Sequence, residues 1–158
     1  MNGLDAKSEI NIYISGPGGS IYDGLGLIDV MRTIAAPINT ICVGLSASMS
    51  AMIFLNGDRR YMMPNSRLML HQPLGGVQGQ ASEIELVAKQ IITMKEQMNA
   101  MIANCSKISL QKVAQLTDRD CYIEADAALT QGLCDKILTS PKQHKLNKFK
   151  KFNNKIKG

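Results

Sequence analysis

The chain has 158 residues, 45% of them hydrophobic and 20% charged, enough for one soluble globular domain with a sizeable core. No apolar run approaches the roughly 20 residues of a membrane helix, and the start shows no signal-peptide pattern. The formal net charge of +5 does not mark a nucleic-acid module, because seven lysines fall in the last seventeen residues and the rest carries 11 Lys and Arg against 13 Asp and Glu.

The opening MNGLDAKSE runs almost at once into a strand, so the chain is expected to start inside a larger fold. INIYIS (Ile10–Ser15) alternates apolar and polar residues, the period of a half-buried strand. GPGGS (Gly16–Ser20) interrupts it, and YDGLGLIDVMRTI then builds a helical face through Leu25, Ile28 and Met31, with Pro37 after its end. NTICVGL reads as a second strand, and SMSAMIFLN as a short helix stopped by Gly57. RRYMM and RLMLH read as two strands hinged at Pro64–Asn65.

Gly75, Gly76 and Gly79 make a flexible connector, after which Ser82 and Glu85 have the spacing of a capping box for the longest helix. Ile84, Val87, Ile91, Met94, Met98 and Met101 recur along it at intervals of three and four. Such a stripe packs either on the body of the domain or, on a protruding helix, against another subunit; five turns favour the interface. Helical stretches at Leu110–Leu116 and Ala125–Gln131 and a last strand LCDKIL close an α/β domain with mostly parallel strands. The lysine- and asparagine-rich residues 139–158 follow as a basic tail expected to be disordered, a solvated extension rather than an arm for an acidic surface.

The cysteines Cys42, Cys105, Cys121 and Cys134 form no C-x-x-C pair, and Cys42 and Cys134 sit in apolar stretches as buried thiols do. A reducing interior compartment fits them. With two histidines and neither beside a cysteine, no metal site is expected.

GLSASMSAM places Ser46, Ser48 and Ser50 where a strand must turn into a helix. Serine needs a base to become a nucleophile, and the base is usually histidine. His144 lies in the tail, which leaves His71, at the end of the strand RLML; a lone histidine there is more often structural, but strand ends are where catalytic groups project. Ser48 falls at the elbow, where N–H groups of a helix N-terminus can stabilise an oxyanion; Ser46 lies before it and Ser50 already in the helix. The G-x-S-x-G elbow of α/β-hydrolases does not fit. GPGGS is either a tight turn or the other half of an oxyanion site, and no lysine follows to make a phosphate loop. A carboxylate to orient the histidine is offered by Asp118 and Asp120 in LTDRDC, or both cap helices; composition does not separate them.

Taken together, ISGPGGSIYDGLGLIDVM, TICVGLSASMSAMIFLNG, MPNSRLMLHQPLGGVQGQASEIE and LTDRDCYIEADAALTQGLCDKIL resemble, in order from Ile10 to Leu138, the proteolytic subunit of the Clp protease (ClpP). The resemblance implies a ClpP-like peptidase domain over 1–138 with the N-terminal part of the family fold missing. It implies a crotonase-like spiral of β-β-α units with a protruding helical handle. By position, Ser48 is the nucleophile, His71 the base and Asp120 its orienting acid. The N–H groups of Gly18 and Met49 match the oxyanion hole. Gly75, Gly76, Val77, Gln78 and Gly79 match the segment that pairs with an extended substrate, and Asp118 and Arg119 match ring–ring contacts.

The family further implies seven-membered rings stacked in pairs, a tetradecamer, around a closed chamber. An AAA+ Clp ATPase feeds unfolded polypeptides into it, so ATP is used by the partner and the subunit needs no cofactor. Bacterial-type cytoplasm or an organelle, plastid stroma foremost, suits such a protein. Three departures stand out: Gly16 where the family usually has serine, Ser46 for alanine and Ser50 for glycine. A catalytically silent, ClpR-like subunit of a mixed ring is the alternative, although such subunits typically lose triad residues; a crotonase-type acyl-CoA enzyme lacks support in any CoA-binding feature.

Overall fold

The computed structural model describes residues 8–139, so the basic tail expected over 139–158 lies, from residue 140 onward, outside the described residues. In chain order the elements are β1 (Ile10–Gly16), α1 (Ile21–Thr33), β2 (Ile38–Ala47), α2 (Met49–Leu55), β3 (Arg59–Met62), β4 (Arg67–Leu70), α3 (Ala81–Asn104), α4 (Leu110–Leu116), β5 (Cys121–Glu124), α5 (Ala125–Thr130) and β6 (Lys136–Ile137).

β2 is the spine. Its residues Ile38 to Cys42 are buried, as a strand covered on both faces requires, and Thr40 Oγ1 donates to the Phe54 carbonyl at 2.7 Å. One edge pairs in parallel with β1, from Ile10↔Ile38 to Ile14↔Cys42, and then shifts so that Gly16 faces Ser46. The other edge carries β3 along Asn39–Cys42 and β4 along Leu45–Ala47, both parallel. The chain steps from β3 to β4 through the turn at Pro64–Asn65, where Ser66 N–H donates to the Met63 carbonyl. β6 pairs with β3 in parallel, so the sheet is mostly parallel as expected.

The exception is β5, which runs antiparallel to β4 with Leu70 opposite Cys121 and Arg67 opposite Glu124. Sequence patterning assigned no strand there. Four residues are too few for the alternation of half-buried Cys121 and buried Ile123 with exposed Tyr122 and Glu124 to stand out. The last strand is shorter than LCDKIL suggests. Leu133 N–H bonds the Ala128 carbonyl at the end of α5, through Gly132 at φ 73°, so pairing with β3 begins only at Asp135.

α1 starts at Ser20, whose Oγ accepts from Asp23 N–H at 3.4 Å, and buries Gly24, Ile28 and Met31. α2 lies against β1, β2, α1 and α3, and its Met49, Met52, Phe54 and Leu55 are at most 2% exposed. Full burial of one such side chain stabilises by about 1.5–3 kcal/mol, so this short helix is fixed by packing rather than by its length. α3 is capped two residues earlier than expected: Gln80 N–H donates to Glu83 Oε2, and the Ser82–Glu85 spacing is not the one used. Its two halves differ. Met98, Asn99 and Ile102 are buried in the protomer's own core, whereas in the first half Ile84 is exposed and Val87 and Ile91 are only half-buried, with Leu86 and Ile92 exposed beside the stripe. The stripe is therefore both things, core at its C-terminal end and an incompletely covered apolar face at its N-terminal end.

Candidate active site

A single residue, Ser48, separates the end of β2 from the start of α2. Turning a strand into a helix in one step forces it to φ 53°, ψ −123°, and it is the one non-glycine with positive φ among the described residues. Such a conformation costs of order 1–3 kcal/mol and persists only where the surroundings impose it. They do: Ser48 N–H donates to the Met69 carbonyl of β4 at 2.8 Å, and the Ser48 carbonyl accepts from Ala51 and Met52 in the first turn of α2. The flanking serines are placed differently. Ser46 is fully buried in β2 with its hydroxyl on the Ile14 carbonyl, and Ser50 lies inside α2.

β4 runs beside the end of β2 with Met69 opposite Ala47, so the residue after the strand, His71, arrives beside the elbow. His71 Nε2 lies 2.8 Å from Ser48 Oγ. The register of β5 on β4 then does for Asp120 what β4 does for His71: Leu70 faces Cys121, and the next residues outward, His71 and Asp120, meet with Nδ1 and Oδ1 3.6 Å apart. That is longer than a hydrogen bond and within ion-pair range. The imidazole is largely enclosed, its side chain 15% exposed, while Asp120 is 62% exposed. With Nε2 accepting from the serine, the Nδ1 proton faces the carboxylate, the tautomer that general-base chemistry requires.

The loop that carries Asp120 is tied down by residues that sequence inspection did not single out. Gln72 N–H donates to the Thr117 carbonyl at 2.7 Å, and Gln72 Nε2 to the Asp118 carbonyl at 3.0 Å. Thr117 Oγ1 in turn donates to Asn99 Oδ1 of α3, both residues buried. No residue-type signal marks Asn99 as part of this arrangement, since it is a single polar residue beside the apolar stripe of a helix.

Gly18 brings the Gly16–Ser20 loop onto the elbow. It has φ 99°, and a Cβ there would stand 2.7 Å from Ser48 Cβ and 2.8 Å from both the Ala47 carbonyl oxygen and the Met49 nitrogen. The absence of a side chain is what lets the two backbones touch. Met49 is the first residue of α2, whose first-turn N–H groups have no partner within the helix, and its side chain is pressed against α1 at Gly24. Gly18 and Met49 also border a cavity of about 220 Å³. Of the other expected site residues, Gly75 to Gly79 run exposed with no strand pairing in the protomer. Asp118 and Arg119 are exposed, their side chains 3.9 Å apart. Among the described residues, no group of three or more His, Cys, Asp or Glu could hold a metal ion, and no helix is long and apolar enough to cross a membrane.

A family model described as Clp protease matches residues 1–141. The chain belongs to the Clp protease family. The mixed α/β architecture, with a six-stranded sheet and five helices among the described residues, is that of a Clp protease, as the sequence resemblance implies. Membership in the Clp protease family makes the chain a ClpP-type protease or a relative of one, and ring assembly of ClpP type goes with it.

Proposed function

We propose that this chain is the proteolytic subunit of an ATP-dependent Clp protease, a serine endopeptidase that cuts unfolded polypeptides to short peptides. The observation that carries the reading is the 2.8 Å contact between His71 Nε2 and Ser48 Oγ at a strained elbow. His71 takes the Ser48 proton as Oγ attacks the peptide carbonyl carbon, and the N–H groups of Gly18 and Met49 stabilise the resulting oxyanion. The imidazolium, held by Asp120, passes its proton to the leaving amine, and the acyl-enzyme forms. Water, deprotonated by His71, then hydrolyses the ester and returns the proton to Ser48.

Gly75 to Gly79 supply an unpaired backbone for an extended substrate to align on. Asp118 and Arg119 lie at contacts between stacked seven-membered rings, and an AAA+ Clp ATPase spends the ATP and delivers the substrate; the subunit itself uses no cofactor. Residues 139–158 form a basic extension of the peptidase domain, and the protein works in a reducing interior compartment.

The alternative, a silent ClpR-like subunit, draws on one observation: the exposed Asp120 stands 3.6 Å from His71, beyond hydrogen-bond range. One experiment separates the two. A fluorophosphonate probe labels the assembled protein at Ser48 and fails to label Ser48→Ala. Labelling that persists in Ser48→Ala removes the nucleophile assignment, and an unlabelled assembled wild type establishes the silent subunit.

A further inference from the structure

We propose that the cavity beside Ser48 receives the substrate side chain preceding the scissile bond and selects a cationic one, lysine or arginine, through Asp23. The proposal rests on Ser48 being the nucleophile. Its first support is position. The cavity is bounded by Gly18 and Met49, the two residues that flank Ser48 and whose N–H groups would hold the oxyanion. An acyl carbon on Ser48 with its oxygen at those N–H groups has its α-carbon one bond away and the side chain two, within reach of a cavity that the same two residues border. At about 220 Å³ the cavity is many times the roughly 10–15 Å³ that admits one water, so a long side chain fits.

Its second support is chemistry. Leu27, Met49 and Ile53 give apolar walls, suited to a run of methylenes. Asp23 is the one charged residue on the lining, and among the described residues its carboxylate has no ion-pair or hydrogen-bond partner. A stem of methylenes that ends in a cation matches apolar walls with one carboxylate, whereas an acidic side chain meets repulsion. Asp23 also lies in the first turn of α1, where a negative charge favours the helix. That role acts through the helix end and leaves the carboxylate open to a ligand; the capping bond uses only the Asp23 N–H. The floor is fixed as well, because a Cβ on Gly24 would lie 2.2 Å from Met49 Cγ, so the methionine is held flat on α1.

The test uses the assembled protein and peptidyl aryl phosphonates, which react with an activated serine and carry either a lysine or a norleucine side chain next to phosphorus. Asp23→Asn, which keeps size and the capping N–H, lowers the lysine-to-norleucine ratio of second-order rate constants roughly two- to fivefold, the scale of an exposed ion pair. The norleucine rate changes by much less than the lysine rate, and the lysine advantage of the wild type shrinks in 1 M salt. A ratio unaffected by Asp23→Asn, in protein whose Ser48 still reacts with a simple fluorophosphonate, overturns the pocket assignment and leaves the nucleophile standing. Failure of the simple fluorophosphonate to label Ser48 overturns the nucleophile and this proposal with it.

Discussion

Gly16 and Ser50 are complementary: the Ser50 hydroxyl occupies the space a side chain on residue 16 would need, its Oγ 3.1 Å from a Cβ there. Both are positions at which the sequence resemblance implies other residues, serine at 16 and glycine at 50, so these two departures meet in space. Gly16→Ser alone should crowd Ser50 and push the loop away from Ser48, slowing fluorophosphonate labelling about two- to fivefold. Ser50→Gly in the same chain should restore it, a coupling of roughly 0.5–1 kcal/mol in a double-mutant cycle. Equal slowing in the single and double variants would show that the two positions act independently.

Gly18 allows less tolerance. A Cβ there meets backbone atoms of Ala47 and Met49 as well as the Ser48 Cβ, all within 2.8 Å, and φ 99° disfavours any other residue. Gly18→Ala should displace the loop, removing one oxyanion donor and slowing labelling on the order of a hundredfold. The strain should lower stability by about 1–3 kcal/mol in urea denaturation. Wild-type labelling in this variant would exclude Gly18 from the oxyanion site.

Asp120 is 62% exposed and 3.6 Å from His71, so its hold on the imidazole is weaker than that of a buried, hydrogen-bonded acid. Asp120→Asn should slow labelling roughly ten- to a hundredfold, less than the roughly ten-thousandfold of a tightly coupled triad. A loss of the full size would mean that the aspartate closes onto His71 when the protein assembles or binds substrate.

Much of the fold and the layout of the candidate site could be read from the sequence, and the omissions have physical causes. β1, α1, β2 and α2 carry clear periodicities and end at Gly, Pro or Ser, which is why Ser48 could be placed at an elbow and His71 at a strand end. Choosing Asp120 over Asp118 was beyond local patterning, because the choice is made by the register of β5 on β4, a pairing between residues some fifty apart. The clasp of Gln72, Thr117 and Asn99 is similarly non-local. For α3, periodicity reports an apolar face without saying what covers it.

The division of that face makes a prediction about assembly. A charge at Met98, 5% exposed within the protomer core, destabilises the protomer itself and says nothing about subunit contacts. Ile84, 43% exposed at the first position of the stripe, is the better probe. Ile84→Lys should leave urea denaturation of the protomer within about 0.5 kcal/mol of wild type and lower the assembly mass in light scattering. An unchanged mass would place the subunit contact elsewhere on the chain.

Far from the elbow, Arg60 and Asp135 tie β3 to the segment before β6. The guanidinium donates from Nε and a terminal nitrogen to the two Asp135 oxygens, at 3.1 and 2.7 Å, and the Arg60 N–H adds a third bond at 2.7 Å. Arg60 also donates to the Cys105 carbonyl, fastening the end of α3. Burial is the largest influence on the Asp135 carboxyl and pushes its pKa up. The hydrogen bonds from the Arg60 side chain and backbone, with the Arg60 charge, together outweigh it and hold the pKa below the usual 3.8. A depressed folded-state pKa gives stability that is fully present above the unfolded value and lost as pH falls through the folded one. Because Asp135 is 44% exposed, solvent screening limits the pair to about 1 kcal/mol. Asp135→Asn should therefore cost that amount at pH 7, with the two denaturation curves converging as pH falls below the usual carboxylate range. Arg60→Ala should cost about 1 kcal/mol more at pH 7 and keep part of its deficit in acid, since the Cys105 carbonyl loses its donor at every pH. A wild type and Asp135→Asn that differ equally at pH 7 and in acid would show that the carboxylate's charge is not what stabilises this corner.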